Sequence, residues 1–96
     1  MDKIYELIQT MRKTRGWDKT DTLPILIKSI SAEAGELLET IQWSEENIDM
    51  EAVKGEVADI LMYTLSICID NDIDVEELIR NKIENVYERY PEVEND

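Results

Sequence analysis

Two pairs of acids, Glu33 with Glu36 and Glu56 with Asp59, are the residues of this sequence best placed to do chemistry. Within each pair the carboxylates are three positions apart, so on a helix they share a face and can be presented to one cation. Spacing alone decides little, because a chain with 23 acids in 96 residues holds six such pairs, close to what chance supplies. Surroundings decide more. Most of the other pairs lie in charged or helix-end stretches, where solvent explains them. Asp59 is the only charge among the 13 residues from Val57 to Ile69. An ionised carboxylate left alone in such a setting is costly, so it must be paired or bound to a metal. Bases are scarce: Lys28 falls well away from Glu33 and Glu36 on the helical wheel, and Lys54 is the other candidate. If the two helices pack antiparallel, four carboxylates converge, and they cannot all stay ionised unless a cation sits among them. Oxygen ligands without His or Cys select a hard ion, Mg²⁺ or Mn²⁺ ahead of Ca²⁺. A solvated acidic face with no ion stays open on composition and wheel alone.

Composition narrows the rest. The net charge of −13 leaves no basic stripe to neutralise phosphates, which excludes a long nucleic-acid ligand. With no His, zinc sites of the usual kind, His-assisted triads and Glu-x-x-His di-iron bundles are excluded. The single Cys68 cannot form an internal disulfide, which fits a reducing compartment. The amphipathic start MDKIYELIQTM carries no signal-peptide core, and the nearly uncharged run from Val57 to Ile69 is too short to span a bilayer. These features predict a cytoplasmic protein that engages no membrane.

The elements that must position the acids are helical throughout, with three Gly, two Pro and no linker, so residues 1–96 are expected to form one domain. Ile4, Leu7, Ile8 and Met11 give a first helix over residues 2–14, ended by Gly16, and GWDKTDTL reads as a loop. Pro24 opens a second helix whose apolar arc runs through Leu26, Ile30, Leu37 and Ile41 to an end near Trp43. A third starts near Met50 and reaches Ile69; its second half is apolar nearly all round and should be covered on several sides. Asp74 with Glu77 forms a capping box for a fourth, whose core face holds Val75, Leu78, Ile79, Ile83, Val86 and Tyr87 before Pro91 and an acidic tail. Four helices with short connections predict an all-α four-helix bundle. A 96-residue monomer supplies too few neighbours for the third helix, so dimerisation, or a dimer of dimers, should complete it.

Glu33-Ala-Gly-Glu36 followed 19 residues later by Glu56-Val-Ala-Asp59 resembles the ExxE…ExxD signature of the MazG-like all-α nucleoside triphosphate pyrophosphohydrolases. Trp17-Asp18-Lys19 with Asp21-Thr22 is similar to the WDKxQT entry of MazG domains, Ile41-Gln42-Trp43 to the FQW of the related dCTP pyrophosphatases, and Arg89-Tyr90-Pro91 to the close of both groups. The resemblance covers residues 15–91. It implies a homo-oligomeric, Mg²⁺-dependent enzyme that cleaves a nucleoside triphosphate to the monophosphate and pyrophosphate, in nucleotide-pool house-cleaning. Glu33, Glu36, Glu56 and Asp59 would be its metal-binding and catalytic residues. Lys54, Lys82 and Arg89 would contact phosphate, and Trp17 and Trp43 would stack on the base. The dCTP pyrophosphatases carry His at the position of Asp21 and Asn at those of Ile25 and Val86, and MazG domains carry His at that of Leu23 and a base at that of Glu88, so neither group's base preference transfers.

Two other readings compete. An acidic interaction or scaffold module without chemistry would also explain the charge. Asp70-x-Asp72-x-Asp74 imitates the start of a calcium-binding EF-hand loop, but Val75 stands where that loop needs Gly and Asn81 where it needs a bidentate Glu, so this reading is rejected.

Overall fold

A helical hairpin carries the acids. In the computed structural model, which describes residues 1–93, its arms are α3 (Leu23–Glu39) and α4 (Met50–Asp70), joined by residues 40–49. α1 (Asp2–Thr14) and the one-turn α2 (Trp17–Thr20) precede the hairpin, and α5 (Val75–Arg89) follows it. No strand occurs among the described residues, and the fold is all-α. The arms run antiparallel: Ala34 and Leu37 share a groove with Val53, while Leu26, near the start of α3, shares a cavity with Met62 and Ser66.

Each long element after α1 starts on a side-chain cap, of which the sequence analysis named only Asp74. The Thr22 hydroxyl accepts from the Ile25 amide at 3.4 Å with Pro24 in the first turn, and Asp49 accepts from the amides of Glu51 and Ala52 at 3.1 and 3.3 Å. Asp74 accepts from those of Glu76 and Glu77 at 3.0 and 3.3 Å.

Two boundaries and one buried face differ from the sequence reading. Trp17–Thr20 forms a helical turn rather than loop, entered through Gly16 at φ +74°, a left-handed conformation that glycine adopts without a Cβ penalty. α3 stops at Glu39, short of Trp43. There the Thr40 hydroxyl donates to the Leu37 carbonyl at 2.7 Å, and the amides of Thr40, Ile41 and Gln42 turn back three residues, which tightens and ends the helix. The inward face of α1 is also rotated: Ile8 is buried and Tyr5 half-buried, while Ile4 and Leu7 are exposed.

The reason for that rotation is Arg12, one turn past Ile8 and only 2 % exposed. Its Nη1 and Nη2 donate to the two carboxylate oxygens of Asp70, both at 2.9 Å, tying the end of α1 to the end of α4. The Tyr5 hydroxyl adds a second tie, donating to the Ile73 carbonyl at 2.9 Å.

α3 packs along α4, and α1 packs on α4 and α2, but α5 packs extensively on none of them; only its start, Val75, Leu78 and Ile79, shares a groove with Ile4 of α1 and with Leu61, Leu65 and Cys68 of α4. Its intended core residues Leu78, Ile79, Ile83, Val86 and Tyr87 are exposed, and the molecule extends 55 × 36 × 24 Å. Its radius of gyration of 16.7 Å exceeds the roughly 12–13 Å of a compact chain this long. The fourth helix therefore does not fill the bundle of its own chain. α4 is likewise uncovered along Val57, Leu61 and Met62, short of the all-round burial its composition calls for. The acidic tail beyond Val93 lies outside the described residues.

The Arg12–Asp70 tie predicts a large effect from a small change. Asp70→Asn leaves a buried guanidinium without its counter-ion and should lower stability by about 3 kcal/mol in urea or thermal melts, whereas Arg12→Met with Asp70→Asn should recover most of that loss.

Candidate metal centre

Glu33 lies in the middle of α3 and Glu56 and Asp59 in the first half of α4, and the antiparallel register brings them level. One carboxylate oxygen from each lies within 4.8 Å of the other two, and all three side chains are half-buried. Glu36, one turn along α3, is exposed beside this trio and is not part of it. Both pairs therefore face one spot, three acids close together and the fourth at the rim.

The trio is electrostatically unsettled as it stands. Among the described residues no base pairs with it; the three ion pairs are Arg12–Asp70, Lys54–Glu51 and Arg80–Glu76. Oε2 of Glu33 and Oε2 of Glu56 are buried without a hydrogen-bond partner. Buried carboxylate oxygens almost always find a donor, so these two call for a proton or a cation. A proton can fill part of that role: hydrogen bonds that Glu33 can share with Glu56 and then Glu36, helped by desolvation and by the charges of Glu36 and Asp59, push the Glu33 carboxyl up from 4.5 to about 7. An all-oxygen set of this kind fits a hard divalent ion, with one ligand atom available from each of Glu33, Glu56 and Asp59.

The other candidate residues are distributed unevenly. Trp17 is half-exposed on α2 and shares a small cavity with Asp59; the Arg15 guanidinium lies 5.9 Å from the centre of its ring. Trp43 is 88 % exposed in the connection after α3. Lys54 is exposed and paired with Glu51 at 3.3 Å. Lys82 and Arg89 ride on α5, which does not pack extensively on the helices that hold the acids, and the Arg89 guanidinium lies over the Tyr90 ring. Within one chain these cations are not gathered at the centre.

Sequence reading missed Arg12, which stands four residues after Ile8 and so shares its face. A basic residue near a helix C-terminus also has favourable interactions with the helix dipole in solvent, which hides a buried role.

The raised Glu33 carboxyl carries a sign that can be measured. A carboxyl whose folded pKa exceeds its unfolded value stabilises the fold below about 4.5 and loses that contribution as pH rises through about 7. Without divalent ions the melting temperature should therefore fall across this window. Glu33→Gln should flatten the fall, and Mg²⁺ added above pH 7 should raise the melting temperature of the unsubstituted protein but not that of Glu33→Gln.

No curated protein matches significantly. A crystallised pyrophosphatase from Archaeoglobus fulgidus is 34 % identical and superposes with a TM-score of 0.84 over 96 % of this chain and 93 % of that one. The profile of the MazG-like family matches residues 28–96, which include all four acids of the two pairs. The chain belongs to the MazG-like family.

Proposed function

We propose that this protein hydrolyses nucleoside triphosphates, ribo or deoxy, to the monophosphate and pyrophosphate, with Mg²⁺ as cofactor and Mn²⁺ able to replace it. The observation that carries this reading is the carboxylate trio with two buried, unpartnered oxygens, in a chain whose fold and sequence are similar to those of a pyrophosphatase. Glu33, Glu36, Glu56 and Asp59 would hold the ion. When bound, it would neutralise phosphate charge and acidify water.

The chain's own residues supply the rest. Water attacks the α-phosphorus, the bond from that phosphorus to the α–β bridging oxygen breaks, and that oxygen leaves with pyrophosphate. The proton from the water passes to a carboxylate of the quartet. The net charge of −13 repels a triphosphate, so cation dependence should be absolute. Trp17 and Trp43 offer ring faces to a base, and Lys54, Lys82 and Arg89 offer charge to phosphate.

For Lys82 and Arg89 to serve, α5 must reach a centre other than that of its isolated chain. Its exposed apolar face suits a second copy, so we place the working enzyme as a homodimer or dimer of dimers. The buried, free Cys68 suits a reducing cytoplasm, and pool house-cleaning is the role this activity would serve.

Glu56→Gln and Asp59→Asn should each lower Mg²⁺-dependent pyrophosphate release by more than about a hundredfold, with the helical circular dichroism unchanged, and chelation should abolish release from the unsubstituted enzyme. If that enzyme releases no pyrophosphate from any nucleotide with Mg²⁺ or Mn²⁺, the scaffold reading prevails. Separately, Ile79→Asp with Ile83→Asp should yield a monomer by light scattering and weaken catalysis; a monomeric unsubstituted protein at micromolar concentration would refute the assembly.

A further inference from the structure

The helix that supplies two of the three acids has an uncovered side. Val57, Ala58, Leu61 and Met62 are exposed along α4 and Leu65 is half-buried beside them, at the spacing of one helix face. That face runs into the groove where Leu61 and Leu65 meet Ile4 of α1 and Leu78 and Ile79 of α5, and continues along the exposed stripe of α5.

Its extent says what covers it. The chain exposes 7896 Å² of accessible surface, against about 5,700 Å² for a compact chain of its mass. The excess, about 2,200 Å² per chain, lies within what each partner of a permanent homodimer hides. From Val57 to Leu65 the only charge is that of Asp59, at the border of the face. Two chains of net charge −13 can meet only through such an uncharged surface. An aliphatic face also needs no complement of another kind, because a two-fold axis across it lets the same residues meet themselves.

The same placement ties assembly to the metal centre. Glu56 precedes Val57 and Asp59 stands three residues before Met62, so both acids border the contact. Charges that border a contact are the least screened and oppose it most. A divalent ion held by the trio offsets that charge on both copies. In return, a second copy braces α4 from the side that α3 leaves bare, which holds Glu56 and Asp59 in place.

We propose that this face of α4 seats a second copy of the chain and that the seating is linked to the metal centre, so that a divalent ion at Glu33, Glu56 and Asp59 tightens the dimer and dimerisation tightens the ion. This rests on the metal centre and assembly proposed above, and adds which surface pairs and what controls it.

The test needs no nucleotide. The dimer dissociation constant is measured by fluorescence-detected sedimentation down to nanomolar protein, in EDTA and in Mg²⁺ at matched ionic strength. Mg²⁺ should lower it by about tenfold. Where the dimer outlasts that dilution, exchange of labelled subunits gives the same reading and should slow by about as much. Asp59→Asn removes a ligand and a charge together, so it should tighten the metal-free dimer and cancel the Mg²⁺ response. Ala58→Glu and Leu61→Asp, at positions exposed in one chain, should give monomers with the helical circular dichroism retained. Those monomers should bind Mn²⁺, followed by electron paramagnetic resonance, about tenfold more weakly. A dimer indifferent to Ala58→Glu overturns the surface. A Mg²⁺ response that is absent from the unsubstituted protein, or equal in Asp59→Asn, overturns the linkage; Mg²⁺-dependent pyrophosphate release from the same preparation then leaves the hydrolysis standing. A chain monomeric under every condition overturns surface and linkage together.

Discussion

Like charges held close together at the junction of two helices are the constraint that the rest of this structure serves. Glu33, Glu56 and Asp59 present oxygens within 4.8 Å of one another, with no base paired to them among the described residues and two oxygens buried without a partner. In isolation such a cluster opposes folding, because each half-buried carboxylate loses hydration and gains a repulsive neighbour. A sequence free to optimise stability alone would have placed a lysine or an apolar residue there. Local stability given up at one place in an otherwise consistent helical pattern is the usual mark of a working site.

The helices around the trio act as its brace. α3 and α4 pack along each other on both sides of it, and Arg12 clasps Asp70 at the far end of α4 with two 2.9 Å hydrogen bonds. A bidentate guanidinium–carboxylate pair is directional, so the clasp fixes the rotation of α1 as well as its distance. The cost is that Ile4 and Leu7 turn outward. Together with the exposed faces of α4 and α5, they leave this chain with a broad apolar surface beside a core in which, among the described residues, the buried hydrophobics are Ile8, Leu26 and Cys68. Such a surface on a small domain matches association of copies better than a self-sufficient monomer.

Helix existence and type were legible in the sequence wherever apolar residues recur with helical period, helped by Pro24 at the start of α3 and the Asp74 cap of α5; the caps at Thr22 and Asp49 came only with the structure. The site acids were legible because Asp59 interrupts an apolar run. Three things were hidden. The end of α3 depends on a Thr40 hydroxyl turning back on its own helix, a competition that periodicity does not record. The inward face of α1 was set by an arginine, which pattern reading assigns to solvent until its partner 58 residues away is known. The apolar stripe of α5 was readable, but a stripe states only that a partner is needed, not whether that partner is the same chain.

Asp59 is where these constraints meet. It is a member of the acid trio on one side and a wall of the Arg12–Asp21 cavity on the other. On the proposed reading, a chain of net charge −13 can hold a triphosphate only if cations separate the phosphates from the acids. The one guanidinium that walls the cavity beside Asp59 is committed to Asp70, so it gives the trio no counter-charge, and balancing those acids falls to a proton or a cation.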